Sequence, residues 1–320
     1  MRGVDYAVRR GLLALVTIFV VLTFNFVLFR TLPGSVVTDM SRIPNATPAF
    51  REAIAHEFGL DKSKWDQYVI YLRQLAHGNL GVSYANEQPV ASNLRTDIAN
   101  TVPMVSLGTL VAVVLGTVTG VLAAWRRRTA VDHISTGVAL AFYSFPTQWL
   151  GLMLVLLFGA YLPTTGMHDP FLVNPTAWQR FMDALRHMIL PSATIALTLY
   201  GQYTLIVRSA VLETLGEDYV LTARAKGLKP SIVLRRHVLR NAMLPIVTLI
   251  ALSLGYIVGG AILVETVFTW PGIGLAVYQA VNERDYPMLQ GAFLLLTCSV
   301  VIFNYLADLI YFKLDPRITK

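Results

Sequence analysis

The sequence predicts an all-α integral membrane protein: six transmembrane helices, both termini on the inner side, and an external segment after the first helix. Three observations carry this. Of the 320 residues 55% are hydrophobic and only 14% charged, a balance outside that of ordinary soluble domains. The apolar residues gather in six runs, several of them near the ~20 residues that take a helix across a bilayer. Basic residues collect beside these runs on one side. Three Lys or Arg precede the first run, three follow the second, seven lie in 208–242 and three in the tail, so most of the 26 mark the inner face. The net charge of +7 therefore reports orientation. No aromatic-interleaved basic patch points to nucleic acid.

Residues 1–29 form the inner tail and first span. Arg2, Arg9 and Arg10 lead into the apolar run 11–29, which ends without a small-x-small cleavage pattern and reads as an uncleaved anchor. Residues 30–101 are the external segment. Within it Trp65, Tyr68, Val69, Leu72 and Leu75 recur at helical spacing. That stripe suits packing inside a small external cap, or contact with lipid or a partner. Residues 102–320 hold the remaining spans. Span two, 102–124, has Gly108, Gly116 and Gly120 spaced for close helix approach and stops at Trp125–Arg126–Arg127–Arg128. Span three, 134–162, is broken near Pro146 in SFPTQWLG, which implies a kink. Residues 164–187 are external, and span four is 188–207. Span five, 243–268, ends in the sharp turn FTWPGIG, followed by NERDYP. Span six is 291–312.

The most informative stretch is EDYVLTARAKGLKPSIVLRRHVLRNAMLP, residues 217–245, inside the polar loop 208–242. Glu217 and Asp218 open a short helix, where the macrodipole favours acid, Arg224 and Lys226 close it, and Gly227 stands at the left-handed cap. Pro230 suits the first turn of a second, basic helix containing Arg235, Arg236, His237 and Arg240. Small residues turned outward, Ala223 above all, would fit a groove on another protein. The other reading is a solvated basic loop that fixes topology.

This segment resembles the EAA loop of ABC-importer permeases of the peptide/nickel branch. Leu221, Thr222 and Ala223 stand at the EAA positions and Gly227 at the motif glycine, with Ala223 the one match to the name. The stretches FGLDKSKWDQYVIYLRQLAHGNLGVSY, SFPTQWLG, VETVFTWPGIGLAVYQAVNERDYPMLQG and NYLADLIYFKLDPRITK extend the resemblance over nearly the whole chain. It implies half of a two-permease pore for dipeptides or oligopeptides. A second homologous permease, two cytoplasmic ATPases that bind ATP and Mg, and an external solute-binding protein would complete it. It implies alternating access, with Leu221, Thr222, Ala223, Arg224, Ala225, Lys226 and Gly227 coupling the chain to the ATPase. Nickel or glutathione uptake lies within the same family.

The chain carries no nucleotide-binding GxxxxGK[ST] loop, no HExxH and no Ser/His/Asp constellation, so neither catalysis nor a cofactor of its own is expected. Cys298 is its single cysteine, and its six histidines show no metal-ligand spacing. Polar residues within the spans need partners: Asn25, Gln148, Gln202, Glu265, Asn304 and Asp308. Each serves either the pathway or helix packing and anchoring. Glu265 and Asp308 lie near span ends, which argues against a secondary transporter with mid-membrane ion sites.

Overall fold

The computed structural model describes residues 2–31, 62–243, 246–247, 249–250, 253 and 262–314. The first part of the external segment, most of the fifth apolar run, Leu244–Pro245 of the loop motif and the C-terminal tail lie outside the described residues. The described chain is helical apart from one isolated antiparallel bridge, Val82 to Pro89. "Outer" and "inner" follow the charge assignment above.

Helix α1 is Arg2–Thr31 and α2 is Lys64–Ala76, the amphipathic piece. Ser63 caps α2 by accepting from the Asp66 N–H at 3.2 Å. Its tyrosines answer the question of the stripe. Tyr68 shares a 2.7 Å hydrogen bond with Thr23, and the Phe26 ring lies 5.2 and 5.5 Å from those of Tyr68 and Tyr71. Of the stripe, Tyr68 packs on α1, Leu72 and Leu75 are half-buried, and Trp65 and Val69 stay exposed.

Helix α3, Val90–Trp125, begins well before the second apolar run. Residues 90–101, read as external loop, are the outer end of this span's helix. Val90 and Leu94 are buried, so packing rather than hydropathy sets the helix start. The third apolar run is α4, Ala130–Ser144, and α5, Thr147–Phe158, which meet at 104°. Pro146 lacks the N–H and excludes the helical conformation at Phe145. The result is a sharp turn, beyond the kink expected.

Helix α6, Ala177–Leu215, is 39 residues long and continuous through Pro191, about 58 Å at 1.5 Å per residue. A capping box joins Thr176 and Gln179 at its outer end. The loop helix α7 is Asp218–Ala225; α8, Pro230–Ile232, a π-helical turn, Val233–Val238, and α9, Leu239–Ala242, follow. Helix α10 is Ile262–Phe268, α11 is Ile273–Glu283 and α12 is Tyr286–Leu314. Among the described residues four helices are long and apolar enough to cross a membrane, and the bent pair α4–α5 makes a fifth if it counts as one span.

Helices α3 and α6 form the spine. A Cβ at Gly108 would lie 2.7 Å from the Ile195 Cβ, one at Gly116 2.5 Å from the Tyr203 Cβ, and one at Gly120 2.7 Å from the Thr204 carbonyl. The glycines expected to permit close approach do so, and no larger side chain fits there. Helix α12 packs against α1. Arg10 pairs with Asp308 at 3.2 Å and Asn25 donates to the Gln290 carbonyl at 3.0 Å.

Candidate functional site: the loop helix and its anchorage

Helix α7 has two faces. Val220 and Ala223, three residues apart, are 0% and 4% exposed and join a cluster with Val207, Ala210 and Val211 of α6 and with Val233 and Val238. Leu221, Thr222, Arg224, Ala225, Lys226 and Gly227 are exposed, Leu221 by 51%. The expectation that Ala223 faces outward is therefore corrected. An eight-residue helix docked by hydrophobic contact needs an inner stripe, and Ala223 completes it.

The C-terminal cap is as expected. Gly227 has φ +74°, its N–H bonds the Arg224 carbonyl at 2.9 Å, and the Leu228 N–H reaches the Ala223 carbonyl at 3.4 Å. This is a Schellman arrangement, in which glycine avoids the penalty of a left-handed residue. Glu217 precedes the helix, Asp218 lies in its first turn and Pro230 in the first turn of α8. Asn241 donates to the Tyr219 hydroxyl at 2.6 Å, tying α9 back to α7.

The anchorage below α7 was invisible to sequence reasoning. Arg208 on α6 donates to both oxygens of Asp132 on α4, at 2.6 and 3.1 Å. Asp132 also accepts the Arg128 N–H at 2.9 Å, and its side chain is 4% exposed. The pair spans 76 residues of sequence. The one available signal was an acid four residues after the last of three arginines.

The candidate pathway residues fall in different places. Gln148 is exposed in the first turn of α5, next to the break; Gln202 is half-buried on α6; Asn304 is exposed on α12. Asp308 is occupied by Arg10 and Asn25 by Gln290. Glu265 was expected near the interface, but it is fully buried. Its Oε2 accepts the Gly274 and Leu275 N–H groups at 2.7 and 3.0 Å, and its Oε1 accepts the Thr101 hydroxyl at 2.9 Å. A carboxylate on the first amides of α11 is favoured by those dipoles. Helix α11 itself, which bridges the FTWPGIG turn and the NERDYP stretch, is held by Ile273, Val277 and Ala280 at i, i+4 and i+7.

Comparison with known proteins places this architecture. Residues 116–320 match the family described as binding-protein-dependent transport system inner membrane component, and residues 4–105 match the N-terminal family of the same membrane components. The dipeptide transport system permease protein DppB of Escherichia coli K12 is 36% identical over 98% of both chains. The di/tripeptide permease DppB of Pseudomonas aeruginosa is 37% identical, and the glutathione permease GsiC of E. coli O6:H1 33%, each over 98% of both chains. Among solved structures, a chain of the inward-facing MetNI methionine ABC transporter superposes with a TM-score of 0.54. Its identity is 17%, and the match covers 69% of this chain and 96% of the other; this likeness shows the fold. The chain belongs to the binding-protein-dependent ABC-importer permeases, in the peptide branch, and is a multi-pass plasma-membrane transport protein.

Proposed function

We propose that the chain forms half of the translocation pathway for dipeptides and related short peptides. A second homologous permease would supply the other half. Two cytoplasmic ATPases would bind ATP and Mg, and an external solute-binding protein would deliver the peptide. The observation that carries this reading is the uncovered face of α7, Leu221, Thr222, Arg224, Ala225, Lys226 and Gly227, on a helix whose other face is fixed to α6. A helix clamped to the longest element of the fold can transmit a push, and a solvated topogenic loop needs no such clamp. In this scheme ATP closes the ATPase pair, α7 follows, and α6 carries the motion through six spans with both ends inside. Residues 30–101 lie on the external side, 90–101 as the outer end of α3, and residues 208–242 form the coupling loop. Gln148, Gln202 and Asn304 remain candidates for the pathway wall.

Glutathione, itself a short peptide, is a second substrate supported by the likeness to GsiC. Among the described residues no cluster of His, Cys, Asp or Glu that could hold a metal ion supports nickel. Uptake of tritiated alanyl-phenylalanine and of labelled glutathione, in cells with and without the chain, separates the two peptide readings. Uptake persisting after ATP depletion would instead indicate a secondary transporter.

A further inference from the structure

The outer end of α3 is joined to the turn between α10 and α11 by bonds that the transport scheme leaves unused. Besides the Thr101–Glu265 bond, the Thr101 hydroxyl oxygen accepts the Ile273 N–H at 3.0 Å. Asn100 donates to the Pro271 carbonyl at 2.8 Å, and the Trp270 indole donates to the Asn100 carbonyl at 3.1 Å. Trp270 and Ile273 are 1% and 0% exposed. A Cβ on Gly272 would stand 2.6 Å from Glu265 Oε2, so only glycine lets the turn close over the carboxylate. Thr269, β-branched, is held at φ +49°, a conformation kept only where its surroundings over-determine it.

We propose that this is a permanent brace, with Glu265 as its positioning residue. It joins the outer ends of α3 and α10 and helix α11 into one body. Outward opening of the pathway then takes place between this chain and its partner permease, not between α3 and α10. Three features argue for a fixed brace over a latch that opens. Glu265 is fully buried, and backbone amides and a hydroxyl bond to both of its oxygens. Parting α3 from the turn would remove the Thr101 partner from a buried carboxylate and uncover Trp270. The glycine contacts of α3 with α6 then extend the same body to the loop helix. In this role Glu265 acts through geometry. The proposal rests on the reading of the chain as half of an importer.

Three variants of the full importer test it in cells, with tritiated alanyl-phenylalanine as probe. Glu265→Gln keeps one oxygen for the two amides and a donor for Thr101, so it should retain uptake within about threefold of the parent, whereas Glu265→Ala should lose about tenfold or more. Asn100→Cys with Pro271→Cys, in a Cys298→Ala background, is joined by a short bis-methanethiosulfonate, each thiol forming a disulfide with the linker as methanesulfinate leaves, and a reductant cleaves it. Uptake should continue within about threefold after joining. The brace is overturned if joining stops uptake and cleaving the linker restores it, or if Glu265→Gln is assembled yet inactive. Uptake by the same cells before joining tests the importer reading separately.

Discussion

Arg208 grips Asp132 through two hydrogen bonds, 2.6 and 3.1 Å long, at the root of the loop helix. The pair ties the inner end of α6 to the start of α4, across the base of the segment proposed to meet the ATPase. Removing one partner from a fully buried pair costs about 3–5 kcal/mol. The Arg208 side chain is 29% exposed, and solvent screening lowers the expected loss for Asp132→Asn to about 1–3 kcal/mol. A lower midpoint of thermal unfolding in detergent would show it. An unchanged midpoint would mean the pair contributes nothing.

Gly227 tests the cap. Its left-handed backbone is the only obstacle to a side chain, because a Cβ there would meet nothing within 4 Å. Gly227→Val should cost about 1 kcal/mol or more, lowering uptake while membrane insertion persists. Gly227→Asn, which tolerates this conformation, should retain most uptake. Equal uptake by all three would show that the cap is dispensable.

The glycines make a paired test of the spine. Gly116→Ala forces a methyl onto Tyr203 and should destabilise by about 1–3 kcal/mol. Gly137, on α4, has open space around its Cβ direction, so Gly137→Ala should be neutral or stabilising by up to about 1 kcal/mol. Thermal shifts of the two variants should differ in sign or clearly in size.

Topology is open to direct labelling. In a Cys298→Ala background, Ser231→Cys should resist an impermeant thiol reagent applied to intact cells, and Asn86→Cys should react. Both positions are exposed. Reaction at position 231 from outside would overturn the assignment of inner and outer faces.

Much of this was legible because local chemistry fixed it. Gly227 had to stand where a helix ends in the left-handed region, Pro230 where one starts, and Gly108, Gly116 and Gly120 where two helices touch. What escaped depends on partners far away in sequence. Asp132 has no meaning until Arg208 arrives, and Glu265 looked interfacial until α11 placed two amides on it. Ala223 was misplaced for a different reason. On so short a helix Leu221 and Ala225 are as apolar as Val220 and Ala223, so periodicity does not choose the inner face. The surrounding cluster chooses it.

The face of α7 carries the central claim. Ala223→Glu would push a charge into the permease's own core and lower its stability, so it does not report on docking. Leu221→Glu is the direct test, because Leu221 is 51% exposed and a surface change alone is usually within about ±0.5 kcal/mol. Yield and thermal stability of the permease should match the parent, while the ATPase is lost from detergent-purified complexes and peptide uptake stops. Recovery of the ATPase at parental yield from Leu221→Glu complexes, with normal uptake, would contradict the docking role of this face.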